Sequence, residues 1–229
     1  MLEWIVVNKE LIKIVYGVMA MFICLVIVLK SHKLFHLSLH QGIRYFRNAF
    51  FFFGIALAIR YIIAAYGYYY PTTMSFYYVT KALFEFFIIM AGFFLFYSLL
   101  WKKIEISGKH HFSSLFNPVI ILLYIMTLLI VTLDFLWGRY YFMFFSQIIL
   151  FIFVSGVSYP NYLNDRGRHF FPRFYFIAMF LSLVVWTLNA LASLIFKWHP
   201  WLIIIIYSAN IIVFLLFLFG VINATKYRG

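Results

Sequence analysis

Seven long apolar runs divide this 229-residue chain, and they constrain its fold more than any other feature. A helix rises about 1.5 Å per residue, so roughly 20 residues cross a hydrocarbon layer about 30 Å thick. The runs are too long and too continuous for the alternating strands of a membrane barrel, which are about ten residues long. The predicted helices are 11–29, 43–66, 74–100, 118–136, 140–159, 171–196 and 201–224.

The predicted fold class is an all-α membrane protein, a single seven-transmembrane-helix bundle over residues 1–229. Charged residues make up only 10% of the chain, against about 25% in soluble domains. The net charge of +12 does not point to nucleic acid, because the Lys and Arg side chains fall in short segments between apolar runs. The single cysteine, Cys24, leaves no intrachain disulfide and no cysteine-based metal site.

The positions of the basic residues predict the orientation of the helices. Twelve Lys and Arg lie near the connections 1/2, 3/4 and 5/6 and at the C-terminus, against four on the other side. Because cytoplasmic loops carry the excess of Lys and Arg, we expect the N-terminus outside and the C-terminus in the cytoplasm. Aromatic residues crowd the predicted outer turns, as in Trp137, Tyr140 and Tyr141, and are expected at the headgroup level.

An offset of 125 residues aligns the first three helices with the last three. It sets Tyr16 against Tyr141 and Glu85 against Asn210. This layout is similar to sugar-transporting seven-helix proteins of the three-plus-one-plus-three type, and the resemblance implies small-solute transport. Those proteins carry prolines within the repeated helices, whereas every proline here is predicted at or between helix ends.

Polar side chains within the predicted spans are the candidate ligand-binding residues, because a charge in hydrocarbon is costly and usually faces the bundle interior. All lie in the outer half or near the midplane: Arg60, Lys81, Glu85, Asp134, Gln147, Asn189 and Asn210. Three interpretations stay open. The four ionisable groups form a charge-balanced network that fixes helix order, or the set lines a polar pocket open to the outside. The third is a proton path, for which Glu85 is the one deep carboxylate.

The spacing of four between His32, His36 and His40 would stack these residues on one helical face, and such pairs can ligate a metal. His36 with His40 looks like one histidine box of the membrane di-iron hydroxylases, which would imply a cytoplasmic-face metalloenzyme. The alternative is an interfacial segment over 31–47 whose His, Lys and Arg side chains meet anionic headgroups.

The chain has no Gly-rich phosphate loop, no Gly-x-Ser-x-Gly elbow and no lysine in helix 7 that could hold retinal. We therefore expect a non-enzymatic protein of the plasma membrane, without a cofactor, that binds or senses a small ligand or a membrane partner from the outer side. Membrane lipids are expected partners, and a protein could dock on the basic cytoplasmic loops. A small-solute transporter is the alternative, and a metalloenzyme with weak candidate ligands His32, His36 and His40 is the third.

Overall fold

A computed structural model describes residues 9–38, 40–69, 73–105, 117–164, 170–196 and 199–226. Within these ranges the chain forms seven helices and no strand. All seven are long and apolar enough to cross a membrane. They are α1 Lys9–Ser38, α2 Gln41–Tyr69, α3 Met74–Glu105, α4 Pro118–Trp137, α5 Tyr141–Asn164, α6 Phe170–Leu194 and α7 Pro200–Lys226.

Local signals in the sequence define both ends of α4. The side chain of Asn117 accepts a hydrogen bond from the backbone N–H of Val119 at 3.2 Å, and Pro118 occupies the first helical position. Both are residues that helix N-termini favour. Gly138 ends the helix with φ +70° and donates its N–H to the carbonyl of Phe135. Only glycine adopts this left-handed conformation without strain, so a tight turn leads directly into α5.

Six of the helices form a closed ring, and α4 lies outside it. In the ring, α1 contacts α2, α2 contacts α3, α3 contacts α5, α5 contacts α6, α6 contacts α7, and α7 returns to α1. Within the described ranges, the helix α4 contacts only α3 and α5. The first and last three helices therefore make the same contacts within each half, and the two halves meet through α3 with α5 and α7 with α1.

The observed helices extend the predicted runs and correct two details. The helix α1 continues through Ser38, and α2 begins at Gln41, so most of the segment 31–47 lies within these two helices. His40 lies beyond the end of α1 and is not on one helical face with His32 and His36. Pro160 lies inside α5, which continues to Asn164, so the expectation that every proline marks a helix end is wrong at this position.

Buried aromatic rings fill the half of the ring remote from the start of α1. Phe50 lies 4.9 Å from Phe46 and 5.0 Å from Phe217 between ring centres. At the same level Tyr45 and Tyr97 pack edge to face at 4.5 Å. Such pairs interact favourably beyond their burial of apolar surface. We call these five residues the aromatic cluster, and they close that half of the bundle.

A candidate ligand-binding cavity

A cavity of about 110 Å³ lies inside the ring, in the half where α1, α3, α5 and α7 begin. That end is the one that the count of basic residues predicts to be outer. Aromatic and aliphatic side chains form most of the wall, and Phe217 of the aromatic cluster forms part of the floor. The polar and amphipathic side chains of the wall are Tyr16, Arg60, Tyr61, Tyr140, Ser182, Trp186, Asn189, Tyr207 and Asn210.

Arg60 projects into this cavity from α2. It shares a helical face with the cavity residues Phe53 and Leu57, whereas the exposed Phe51 and Ile62 lie on the opposite face. The Arg60 side chain is nevertheless exposed. Arg60 thus forms part of the cavity wall while part of the residue remains at the surface of the bundle.

Aromatic rings hold the Arg60 guanidinium in place. Its central carbon lies 5.0 Å from the centre of the Phe84 ring and 5.9 Å from that of Tyr61. Both distances are within the range of cation–π attraction. Within the described part of the chain, no carboxylate forms an ion pair with Arg60, and no acidic residue lines the cavity.

Tyrosine and asparagine side chains surround the same space. The rings of Tyr16 and Tyr207 stack at 4.2 Å, which joins α1 to α7, and Tyr16 meets Tyr61 edge to face at 5.6 Å. Asn189 donates a hydrogen bond to the Val185 carbonyl at 2.9 Å.

Lys81, Glu85 and Asp134 form a separate charged cluster where α3, α4 and α5 meet. The Lys81 ammonium lies 3.8 Å from Glu85 Oε1, and both side chains are buried. Asp134 is close enough to interact electrostatically with both. Its two carboxylate oxygens accept the backbone N–H groups of Phe142 and Met143 at 2.8 and 2.7 Å. Asp134 therefore caps the start of α5 from the end of α4.

Gln147 lies apart from the cavity, between α5 and α3. It is fully buried, and neither amide atom has a hydrogen-bond partner within the described residues. A Cβ atom at Gly92 would lie 2.6 Å from Gln147 Oε1, so a larger residue there would have to displace this carboxamide. Of the seven candidate residues, three line the cavity: Arg60, Asn189 and Asn210. The other four lie outside its wall: Lys81, Glu85, Asp134 and Gln147.

The histidine candidates lie at the opposite end of the bundle. The rings of His32 and His36 meet edge to face at 4.5 Å, and His32 Nδ1 lies 2.7 Å from an Arg47 nitrogen. His40 instead packs against Trp101 at 5.0 Å. No group of three or more possible metal ligands occurs among the described residues. His110, His111 and His169 lie outside them, as does most of the basic 3/4 connection.

Several cavity residues were not among the sequence candidates. Tyr16, Tyr61, Trp186 and Tyr207 stand within apolar runs and resemble ordinary core or interfacial aromatics. The sequence feature that could have indicated them is their depth, because each lies more than one helical turn inside a predicted span. A hydroxyl or indole N–H at that depth needs a hydrogen-bond partner or water. Tyr140 was assigned to the headgroup level, yet its side chain forms cavity wall beneath the Lys81 ammonium, 4.4 Å from the ring centre.

No protein-family model, curated protein or solved structure shows significant similarity to this chain. The fold therefore defines only the class: the seven apolar helices are those of a multi-pass membrane protein.

Proposed function

We propose that this chain is a non-enzymatic binding protein of the plasma membrane, which takes up a small ligand from the outer side into the cavity between α1, α2, α3, α5, α6 and α7. One observation carries the proposal. Arg60 lines the cavity, keeps part of its surface exposed and has no carboxylate partner among the described residues. A cation held within a span is costly, and such residues commonly mark a ligand or ion site.

The aromatic cluster supports binding rather than passage. Phe46, Phe50 and Phe217 are all buried and in mutual contact beneath the cavity. A ligand that enters from the outer end would therefore stop at this floor. Any signal would have to leave through a shift of the helices, and a partner that reads it would dock on the basic cytoplasmic side.

Side-specific labelling of single cysteines tests the proposal. Cys24 is buried and is first replaced by alanine, so that each variant carries one introduced thiol. Asn210→Cys places the thiol on the cavity wall, and Ser208→Cys is the matched control, because Ser208 lies on the exposed face of α7 at nearly the same depth. A charged, membrane-impermeant thiosulfonate reacts in water and not in lipid.

We expect the reagent, added outside intact cells, to modify Asn210→Cys and leave Ser208→Cys unmodified. The same reagent added to inside-out vesicles should modify neither. Equal reaction at both positions, or none at Asn210→Cys from the outer side, would contradict an outward-facing cavity.

The arrangement of the ring favours transport as a second candidate function. Two three-helix halves with matching contacts enclose one cavity, and α4 stands outside as a connector. In a transporter the rings of the aromatic cluster would separate to open the same cavity inward. Modification of Asn210→Cys from both sides of the membrane would favour transport, whereas modification from the outer side alone favours a dead-end binding site.

A further inference from the structure

We infer that the cavity takes a compact organic anion, with one carboxylate and an apolar body no larger than a six-membered ring. This inference rests on the binding function proposed above. Arg60 is the sole charged residue among the described side chains that line the cavity. The ligand charge, the recognising groups and the ligand size each follow from separate observations.

The charge of the ligand follows from the distribution of cations around the cavity. Aromatic walls often bind cations, but the faces of Phe84 and Tyr61 already lie against the Arg60 guanidinium. The Tyr140 ring likewise lies against the Lys81 ammonium. A cationic ligand would meet like charge at the Phe84 and Tyr61 faces and no carboxylate among the described lining residues, whereas an anion would find a partner in Arg60.

The geometry of guanidinium favours a carboxylate. Its planar fork of N–H donors matches the two carboxylate oxygens, and charge-assisted hydrogen bonds of this kind are about twice as strong as neutral ones. Tyr61, Tyr207 and Asn210 line the same cavity, and their side chains carry hydroxyl and carboxamide groups that can donate further hydrogen bonds.

The size and lining of the cavity define the rest of the ligand. Its volume of about 110 Å³ is smaller than the roughly 150 Å³ of an engineered protein cavity that binds benzene. The apolar body can therefore be a six-membered ring at most, and the carboxylate has to lie outside the apolar part of the cavity, against Arg60. Aliphatic and aromatic groups such as Leu57, Ile88 and Val213 form much of the wall. A small inorganic anion could meet Arg60 but would leave this apolar wall in contact with water, so benzoate is the better probe.

Binding of benzoate to the purified full-length protein in lipid nanodiscs, measured by titration calorimetry, tests the inference. Benzamide, benzylamine and chloride serve as neutral, cationic and inorganic comparisons. We expect benzoate to bind at least about tenfold more tightly than any of the three, since loss of a charge-assisted pair is commonly worth a factor of that size.

Substitutions separate the cavity arginine from general surface charge. Arg60→Gln should weaken benzoate binding about tenfold or more, whereas Arg139→Gln should leave it within about twofold. Arg139 is the matched control because it is also an outer arginine beside a tyrosine, bonded to the Tyr141 hydroxyl at 2.6 Å outside the cavity. Should Arg60→Gln fail to fold, Asn210→Asp would place a competing carboxylate in the cavity and should abolish benzoate binding.

A second readout does not depend on the choice of benzoate. In the Cys24→Ala background, an anionic thiosulfonate should modify Asn210→Cys about tenfold faster than a cationic thiosulfonate of equal intrinsic reactivity. The additional substitution Arg60→Gln should remove this preference.

Two results would contradict the ligand class and leave the proposed function standing. One is that benzylamine or benzamide binds as tightly as benzoate, and the other is that benzoate does not bind although the cavity thiol reacts. Chloride binding as tight as that of benzoate would contradict the requirement for a carboxylate. No reaction at Asn210→Cys from the outer side would overturn the proposed function itself.

Discussion

The Lys81 ammonium lies 4.4 Å from the centre of the Tyr140 ring, at the place where the charged cluster of α3, α4 and α5 meets the cavity. Tyr140 thus separates two groups of charges. On one side the Lys81 ammonium forms an ion pair with Glu85 at 3.8 Å, and on the other Arg60 faces the cavity with no carboxylate partner among the described residues. We propose that the cluster fixes helix order and that Arg60 serves ligand recognition.

The Lys81–Glu85 pair should be more sensitive to the loss of one partner than to the loss of both. Lys81→Met leaves Glu85 buried without its cation and should lower the free energy of unfolding by about 3 kcal/mol. The double variant Lys81→Met/Glu85→Leu should recover most of this loss, because neither charge is then buried. Unfolding in a denaturing detergent titration measures both values. If the double variant is less stable than the single one, the two side chains do not act as a pair.

Asp134 should act as a cap rather than a ligand group. Asp134→Ala removes the acceptor of two short backbone hydrogen bonds at the start of α5 and should cost about 2 kcal/mol. Thr132→Ala, on the exposed face of α4, removes only a bond to the helix backbone and should change stability by less than about 0.5 kcal/mol. Thermal unfolding of the two variants provides the comparison. Equal stability would remove Asp134 from the structural role assigned to it.

Gly17 should control the position of Tyr61 in the cavity wall. A Cβ atom at Gly17 would lie 2.4 Å from Tyr61 Cγ, so Gly17→Ala must displace this ring and should cost about 1–3 kcal/mol. Gly54→Ala is the matched control at the same α1–α2 interface, where the new Cβ would meet Cys24 at an ordinary 3.6 Å.

We expect Gly17→Ala also to alter the rate at which a thiosulfonate modifies Asn210→Cys, because the displaced ring changes the shape of the cavity. Gly54→Ala should leave that rate unchanged. The same effect from both glycine variants would show that the close approach of Tyr61 to α1 is not what shapes the wall.

Gln147 should tolerate an apolar replacement of similar size. Both amide atoms are buried without hydrogen-bond partners among the described residues, so Gln147→Met should keep the stability of the protein or raise it by up to about 1 kcal/mol. Thr127→Val should instead cost about 1 kcal/mol, because the Thr127 hydroxyl is buried and donates to the Leu123 carbonyl. A larger loss in Gln147→Met than in Thr127→Val would mean that the carboxamide binds something within the folded protein.

The number and length of the helices could be predicted from sequence because hydrocarbon leaves the backbone few alternatives. The order of helices around the ring could not. Spans such as α7 are apolar on nearly every face, so no polar stripe distinguishes the side that meets lipid from the side that meets a neighbour. The peripheral place of α4 is therefore known only from its contacts.

The site could be predicted only where a polar residue interrupts an apolar run. Arg60, Asn189 and Asn210 carried that signal, and they line the cavity. The division between Arg60 and the Lys81 cluster depends on which helices are neighbours, and one sequence does not contain that information. Close approaches such as that of Gly17 to Tyr61 depend on the distance between helices, so they could not be predicted from the sequence either.

The central claim is that Arg60 holds an anionic ligand inside an outward-open cavity, and protection of a cavity thiol tests it most directly. The measurement is the rate at which an impermeant thiosulfonate, added outside, modifies Asn210→Cys in the Cys24→Ala background with and without benzoate. We expect benzoate to slow this reaction in a saturable way, and to have no effect once Arg60→Gln is added. An identical rate with and without benzoate, or equal slowing in the presence and absence of Arg60, would contradict the claim.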